Sequence, residues 1–411
     1  MAATTEDDNL DDILDEWFIE SLKTYKDLHV YQLEHPTQVI EWTSGKTVCV
    51  GGYSSSRNEM LELHLPLKLF ADENKGLCAE RDFKVLHGGF TDGPVRCLVH
   101  VPGTRFVVTN DGLSSDLQLW DLGGDDSDVI RRTGIVEGGR KRMMKSFSEG
   151  GSRIAARPSL QPQILHGAQS CDIQLTDLNS GRTLYRPGRA AEVRDSPRFV
   201  LTETDSTDLL SSLQFVSDAV FLAGCCNGNV YLADTRTSAA PQLSPPPLSS
   251  GESVLWWTDA STAPDPSCCR VIRLSSSGAA VVSDLRKPGG RAVRQAQLDV
   301  EGHHFSPDHV KVSWAPALDG CVSVSGLSRA VQIYDVSLWG AELQEVQPLF
   351  EHRGHVISSQ QSDSGVSVRI TSHVWHPERP RTLLSAASDG SVHVWDWIDQ
   401  SAAAGPEPGS Q

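Results

Sequence analysis

Two histidines near the carboxyl end form a candidate metal-binding pair. His373 and His376 are three residues apart in a segment that reads as a β-strand beside Trp375 and Pro377. Imidazole nitrogens are common zinc ligands. Side chains three residues apart on a strand point to opposite faces of the sheet, so this pair does not converge on one ion. We therefore interpret both histidines as structural and expect no metal site and no cofactor.

Gly45, Lys46 and Thr47 resemble the end of a phosphate-binding loop. Such a loop needs a further glycine five places before Gly45, where this chain has Ile40. We therefore interpret the segment as a hairpin turn. The sequence also contains no G-x-S-x-G elbow, no H-E-x-x-H motif, no EF-hand loop and no G-x-G-x-x-G fingerprint. These patterns favour a protein that is not an enzyme.

The composition is that of an acidic globular protein. Of 411 residues, 39% are hydrophobic and 22% are charged, with a formal net charge of -17. This charge repels phosphate backbones and anionic lipids, so we expect protein partners, no direct nucleic acid and no membrane. The nine cysteines show no C-x-x-C spacing, and the acidic amino end lacks the pattern of a secretory signal. A cytoplasmic and nuclear location is expected.

A strand that ends in aspartate recurs along the chain. The run LLSAASDGSVHVWD, residues 383–396, reads as two β-rich strands around a polar Ser-Asp-Gly turn. The same ending occurs earlier as LQLWD at Asp121, IQLTD at Asp177, VYLAD at Asp234, AVVSD at Asp284 and VQIYD at Asp335. MLELH at residues 60–64 has the alternation without the aspartate and is a weaker first copy. Seven hairpins that cannot bury both faces alone predict an all-β, seven-bladed β-propeller.

The last copy carries a resemblance to the WD-repeat (WD40) family. Its motifs are Gly354-His355 and Trp375-His376-Pro377, followed by Ser385, Asp389 and Trp395. The resemblance implies that four side chains form a buried, structural, hydrogen-bonded tetrad, namely His355, Ser385, Asp389 and Trp395. Three earlier copies have other residues at the position of Asp389, namely Asn227, Ser277 and Ser328. Only the last tetrad is therefore predicted.

The two ends of the chain are expected to meet in one blade. In WD-repeat proteins the outer strand of a blade follows the WD-like dipeptide, but after Ile398 this chain has only a segment rich in Ala, Pro, Gly and Ser. The segment 28–33 (LHVYQL) has the missing alternation and is predicted to complete the last blade, which also covers a sheet edge. The propeller is thus predicted over 28–398, with a disordered tail at 399–411.

An amphipathic helix is predicted within the acidic segment 1–27. Apolar residues follow helical spacing from 8 to 27, and acidic residues crowd the first turns, where the helix dipole favours them. Two interpretations stay open, a cap docked on the propeller and a motif that binds in a partner's groove. The candidate partner-binding residues on this helix are Leu14, Trp17, Phe18 and Leu22.

Two long loops are also expected. The first, 134–145, has a basic island of Arg140, Lys141, Arg142 and Lys145, which is either a solvated loop or a site for nuclear import or an acidic partner. The second, 238–251, contains three consecutive prolines at 245–247 and is either a stiff connector or a polyproline ligand.

Several stretches resemble one particular group of WD-repeat proteins. They are DEWFIESL at 15–22, ENKGLCAERDFKVLHGGF at 73–90, VSWAP at 312–316, HRGH at 352–355 and the segment 375–397. The resemblance implies a scaffold or assembly factor that contacts subunits of the Integrator nuclease module. It also implies tubulin or microtubule-associated partners, and a mitotic location at spindle poles and the cleavage furrow.

A second function is kept as an alternative. Asp234-Thr235-Arg236 and Asp284-Leu285-Arg286 resemble the D-x-R endings of substrate receptors of cullin-4 ubiquitin ligases. Arg236 and Arg286 are therefore further candidate partner-binding residues. An arginine after a strand end is also common in ordinary WD repeats.

Overall fold

β-rich segments form seven antiparallel sheets of four strands each. In the computed structural model the described residues are 17, 19–52, 58–70, 82–124, 126–138, 151–159, 161–187, 208–237, 239–247, 254–261, 270–284, 292–302, 305, 307–355 and 368–399. In the second strands of two blades, Cys321–Ser325 and Thr382–Ala387, every residue is buried. The sheets of these two blades are therefore covered on both faces at their second strands. The predicted all-β, seven-bladed propeller is confirmed.

The first four blades follow one another along the chain. Blade 1 contains β2 (Thr37–Trp42), β3 (Thr47–Gly52), β4 (Asn58–His64) and β5 (Lys84–Thr91). Blade 2 contains β6 (Cys97–His100), β7 (Phe106–Asn110), β8 (Leu117–Asp121) and β9 (Arg131–Val136). Blade 3 contains β10 (Arg153–Ala156), β11 (Gln163–Gly167), β12 (Gln174–Asp177) and β13 (Thr183–Tyr185). Blade 4 contains β14 (Leu210–Phe215), β15 (Val220–Cys225), β16 (Val230–Asp234) and β17 (Gln242–Ser244).

The last three blades close the ring. Blade 5 contains β18 (Trp256–Ala260), β19 (Arg270–Ser275), β20 (Ala279–Asp284) and β21 (Arg294–Gln297). Blade 6 contains β22 (Lys311–Trp314), β23 (Cys321–Ser325), β24 (Val331–Asp335) and β25 (Phe350–His352). Blade 7 contains β26 (Ile370–Trp375), β27 (Thr382–Ala387), β28 (Ser391–Trp397) and β1 (Tyr25–Gln32). Short 3-10 helices lie at Leu67–Phe70, Pro307–His309 and Val336–Leu338.

The hydrophobic core lies between neighbouring blades. One cluster joins Leu274 of blade 5 to Val322 and Tyr334 of blade 6, and another joins Val48 of blade 1 to Leu384 of blade 7. The innermost strands β2, β6, β10, β14, β18, β22 and β26 contact one another in this order, and β26 contacts β2. Since no blade forms this core alone, each blade depends on its neighbours.

The amino-terminal strand completes blade 7. β1 runs antiparallel to β28, with Leu28 opposite Trp395 and Gln32 opposite Ser391. The N–H of Leu33 also donates to the carbonyl of Gly390 over 2.9 Å. The strand expected at 28–33 therefore begins three residues earlier, at Tyr25, and ends one residue earlier.

The predicted helix is too long at its carboxyl end. Helical residues are described at 17 and 19–24, and strand β1 starts at Tyr25, which was expected in the helical stripe. The phenol of Tyr25 forms a 2.8 Å hydrogen bond with His352 Nδ1, and its ring packs on Phe350 and Trp395. Tyr25 is buried as a helical stripe residue would be, so periodicity alone did not reveal the change to a strand. Residues 1–16 lie outside the described part.

The two expected loops and the expected disordered tail differ from the structure or lie partly outside the described residues. Gly134 belongs to strand β9, and residues 140–145 with the basic island lie outside the described part. The second expected loop, 238–251, contributes the outer strand β17 of blade 4. Asp399, expected in the tail, is described and pairs with Arg381 over 3.1 Å, whereas residues 400–411 are outside the described part.

We predict that Trp395→Ala lowers the free energy of unfolding by about 3–5 kcal/mol, as for other large-to-small aromatic changes in a core. The indole is fully buried, and its ring stacks on His352 at 4.6 Å between centroids. Chemical denaturation measures the change. The control is Leu338→Ala, since Leu338 is 77% exposed and its truncation should cost under about 0.5 kcal/mol. A loss below about 1 kcal/mol for Trp395→Ala contradicts the prediction.

Candidate interaction site

The N-terminal helix lies against the rim of the propeller with one face exposed. Trp17 is half-buried, as are Ser21 and Thr24, which follow it at helical spacing. Ile19 and Leu22 are 55% and 68% exposed, so they lie on the solvent side. Of the candidate residues on this helix, Trp17 therefore faces the propeller and Leu22 faces solvent. Leu14 and the side chain of Phe18 lie outside the described part.

A groove of about 960 Å³ separates this helix from blades 5 and 6. The helix contributes Trp17, Glu20, Ser21 and Thr24 to its wall. The other walls are formed by the segment 297–301 at the end of β21, by Gln332 and Tyr334 of β24, and by the segment 345–351. Sequence reasoning did not find this groove, because its walls come from three separate parts of the chain.

The path of the chain between β24 and β25 opens the groove. Segment 340–346 leaves blade 6 and bonds to the outer strand of blade 5: Gln295 N donates to Gly340 O over 2.8 Å, and Gln297 N donates to Gln344 O over 2.7 Å. β25 then pairs with Val331–Ile333 and stops short of Tyr334. The short outer strand of blade 6 thus leaves Tyr334 at the border of the groove.

Most charges around the groove are negative. The carboxylates that line it are Glu20, Asp299, Glu301, Glu345 and Glu351. Arg353 also lines it, but its guanidinium donates from Nε to Glu351 over 2.9 Å. Burial raises the pKa of Tyr334, and the charges of Glu351 and Asp299 raise it further, so this phenol stays protonated. The groove can therefore attract cationic side chains.

The expected tetrad residues lie together in blade 7. His355 Nε2 is 2.8 Å from Ser385 Oγ, which also accepts the indole N–H of Trp395 over 3.1 Å. Asp389 is joined to this group through Ser391, whose hydroxyl donates to Asp389 over 2.6 Å and lies 2.7 Å from His355 Nδ1. Sequence reasoning missed Ser391, although its place two residues after the turn aspartate was visible.

Two further buried histidines, His352 and His393, lie beside the tetrad residue His355, and the three do not have the geometry of a metal centre. His352 Nε2 lies 3.0 Å from His393 Nδ1, and the nitrogens of His352, His355 and His393 are close enough to suggest a shared ion. The rings of His355 and His393 are stacked, however, 3.7 Å apart and 16° from parallel. Ligand lone pairs lie in the ring plane, so stacked rings do not point at a common ion. The arrangement is a packed hydrogen-bonded core.

The other histidine pair, His373 and His376, joins blade 7 to both neighbours. His373 contacts two serine hydroxyls of blade 6 at 2.8 and 2.9 Å, Ser323 and Ser325, whereas His376 Nε2 lies 2.8 Å from the carbonyl of Gly45 in blade 1. The pair points in opposite directions, as strand geometry requires. Gly45 lies in the turn between β2 and β3, as the sequence indicated.

Of the two D-x-R arginines, Arg236 is described. Its side chain is 71% exposed, and its guanidinium donates to Asp234 over 2.9 Å and 2.6 Å. These bonds hold the pKa of Asp234 at about 2. Arg286 lies outside the described part.

Sequence reasoning also missed a buried charge network between blades 1 and 2. Glu62 on β4 is fully buried and accepts two hydrogen bonds from Arg105, over 2.8 and 2.6 Å. Thr43 donates to the same carboxylate over 2.9 Å, and His87 Nδ1 lies 2.7 Å from it. Burial alone raises the pKa of Glu62, but these bonds, led by Arg105, bring it below the ordinary value. The only sign of this network in the sequence was Glu62, a charged residue within the otherwise apolar alternation of MLELH.

Charged side chains also lie on the innermost strands. Glu41 of β2, Asp259 of β18 and Lys311 of β22 are half-buried and interact electrostatically. Burial raises the carboxyl pKa values of Glu41 and Asp259 to about 7. The side chain of Asp259 also accepts the N–H of Trp314 over 2.7 Å, so it joins blade 5 to blade 6.

Fold and site define a class, a seven-bladed WD-repeat β-propeller with a helix and an acidic groove at its rim. No protein-family model matches the sequence.

The chain is 47% identical over 390 residues to the Integrator complex assembly factor WDR73 of Danio rerio. This alignment covers 94% of this chain and 97% of that protein. The chain is 39% identical over 397 residues to the protein of that name from Homo sapiens, covering 94% and 98%.

A third relative of the same name, from Xenopus laevis, is 36% identical over 389 residues, which covers 93% of this chain and 97% of that protein. The chain therefore belongs to the WDR73 family of WD-repeat proteins. The resemblance to WD repeat-containing protein 73, which the stretches from 15–22 to 375–397 carried, is confirmed. Among the described helices, none has the length and apolar character needed to span a bilayer.

We predict that the free energy of unfolding falls as the pH drops below about 6.5, where histidines of the unfolded chain protonate. Burial lowers the pKa of His393 to about 3, and those of His352, His355 and His373 well below the ordinary value. The folded state therefore does not take up these protons, and each histidine costs about 1.4 kcal/mol per pH unit.

The raised pKa values of Glu41 and Asp259 stabilise the folded state as the pH falls below 7, because the folded chain takes up these two protons before the unfolded chain does. The four histidines outnumber these two carboxyl groups, so the net effect on the free energy of unfolding is a loss. Urea unfolding at about pH 7.5 and about pH 5.5 measures the net effect. His393→Asn should make the dependence on pH shallower. An unfolding midpoint that is equal or higher at the lower pH contradicts this account.

Proposed function

We propose that this protein is a non-catalytic scaffold that assists assembly of the Integrator complex. Three relatives that align along nearly the whole chain have the name Integrator complex assembly factor WDR73. A closed ring is a rigid platform, and its rim offers binding surfaces without any need for turnover. Protein partners, in particular Integrator subunits, follow from this proposal.

The exposed face of the N-terminal helix is the contact surface that we propose for these subunits. The observation that carries it is that Trp17 is half-buried on the propeller side of the helix, whereas Ile19 and Leu22 project into solvent and are 55% and 68% exposed. A helix that presents apolar side chains at i and i+3 can lie in a hydrophobic groove of a partner. The two interpretations of this helix from the sequence, a cap on the propeller and a motif that binds a partner, are then compatible. One face of the helix is turned to the propeller, and the other face is turned to solvent.

Co-purification tests this surface. We expect the double variant I19D/L22D of the tagged full chain to lose Integrator subunits by at least about tenfold, because two carboxylates cannot enter an apolar groove without large desolvation cost. The matched control is I135D/L184D, since Ile135 and Leu184 are 60% and 51% exposed on the outer strands of blades 2 and 3. Quantitative mass spectrometry measures the subunits, and thermal melting checks that both variants fold.

Full retention of Integrator subunits by I19D/L22D, or equal loss in the control, would overturn the choice of surface. Absence of Integrator subunits from the unaltered protein would overturn the assembly function itself.

Finer parts of the proposal rest on the resemblance alone. They are contact with the nuclease module, tubulin or microtubule-associated partners, and a cytoplasmic and nuclear location with spindle poles and the cleavage furrow in mitosis. Imaging of the tagged chain through division, with subunit-specific detection in the co-purification, tests them separately.

We keep the cullin-4 receptor as a second proposed function, because the guanidinium of Arg236 is 71% exposed at the end of β16. Its bonds to Asp234 are on the surface and contribute little to stability, so a partner can replace them. If this function holds, R236A/R286A loses a cullin-4 adaptor while keeping its melting temperature. Unchanged adaptor recovery, or none from the unaltered chain, removes the alternative.

A further inference from the structure

The groove between the N-terminal helix and blades 5 and 6 is bordered by a buried tyrosine hydroxyl that lacks a hydrogen bond among the described residues. The side chain of Tyr334 borders it, is 1% exposed, and its hydroxyl has no hydrogen-bond partner within the described part of the chain. A buried hydroxyl without a partner costs about 1–3 kcal/mol. Such a group beside an open groove is satisfied when a ligand supplies the missing bond.

We propose that this groove binds a segment of a partner protein in which lysine or arginine side chains alternate with apolar ones. The proposal deepens the scaffold function and rests on it for the class of occupant, a protein segment. It concerns a surface separate from the exposed face of Ile19 and Leu22.

Charge selects the basic side chains. Asp299 and Glu345 are both exposed, and they lie on neighbouring segments of the groove wall, since Gln297 and Glu345 form a β-bridge between blade 5 and the segment after β24. Glu20 adds a carboxylate from the helix side, and the cation of Arg353 is already paired with Glu351. A cationic segment therefore meets carboxylates from the helix side and from the blade side, whereas an acidic one is repelled.

Apolar wall residues select the side chains in between. Leu298 and Val346 line the groove together with Pro348, Leu349 and Phe350. An extended segment sends alternate side chains in opposite directions, so basic residues can reach the carboxylates while apolar ones pack on these residues. The phenol of Tyr334 can donate its proton to a main-chain carbonyl of the segment.

The occupant is a separate molecule. In the sequence the basic residues 140–142 follow β9 of blade 2, and β9 itself lies across the ring from blades 5 and 6. The segment before Trp17 is acidic, so the groove repels it.

Fluorescence anisotropy with the purified full chain tests the proposal. The probe is a short labelled peptide in which arginine and leucine alternate, and the comparison peptide has glutamate in place of arginine. We expect the arginine peptide to bind, with an affinity that falls as salt is raised above about 0.15 M. D299K/E345K should weaken it by at least about tenfold. Y334F should weaken it by about three- to tenfold through loss of one hydrogen bond, without lowering the melting temperature.

The matched control is E137K/D218K, which makes the same change of net charge at exposed positions in blades 2 and 4, outside the groove. We expect this control to bind the arginine peptide as the unaltered chain does. Equal weakening by the control would mean that the peptide senses only net charge, and this would overturn the groove as the site. Equal binding of both peptides, no binding of the arginine peptide, or an unchanged affinity in D299K/E345K or Y334F would overturn it as well.

The peptide-binding measurement contains no Integrator subunit. Its outcome is therefore independent of the co-purification experiment that tests the proposed scaffold function. Loss of Integrator binding in I19D/L22D with intact peptide binding separates the two surfaces.

Discussion

The antiparallel pairing of β1 with β28 is the interaction on which the whole ring depends. It joins residues from the two ends of the described chain, such as Tyr25 and Trp397, across one sheet. Every other blade is built from consecutive strands, so this is the one blade, within the described part, whose formation requires the ends to meet. Without β1, the edge of β28 is open and the ring has a free end.

The blades are then held to one another by polar contacts as well as by apolar packing. Between blades 6 and 7, His373 contacts Ser323 and Ser325. Between blades 1 and 2, the carboxylate of Glu62 receives the guanidinium of Arg105. Buried polar groups of this kind are costly when unpaired, so each contact favours one position of a blade beside its neighbour. Rigidity of the rim, which a scaffold needs, follows from this arrangement.

The number of blades was predictable from the sequence because each repeat ends in the same local pattern. All seven copies, including the weak one at 60–64, are third strands of their blades, and the aspartate-bearing ending is therefore a reliable marker of position. The boundary at Tyr25 was not predictable. A buried tyrosine satisfies both a helical stripe and a strand, and its pairing with Trp397 across the sheet, at the far end of the chain, decides between them.

Less of the candidate site was predictable. Helical periodicity in the sequence was enough to name Leu22 as a candidate partner-binding residue. It gave no indication of the groove. The groove arises because segment 340–346 pairs with blade 5 before returning to β25, and such pairing between blades has no local signature. The link between Asp389 and His355 through Ser391 was missed for another reason: the position of Ser391 was visible in the sequence, but the link depends on side-chain direction in a folded turn.

Closure of the ring by β1 is tested most directly by thermal melting of two truncated chains. One lacks residues 1–16 and keeps the helix and β1, and the other lacks residues 1–32. We predict that the first melts cooperatively at the temperature of the full chain. The second should lose its cooperative transition and aggregate through the open edge of β28. If the chain that lacks residues 1–32 stays monomeric and melts with the full chain, β1 does not close the ring.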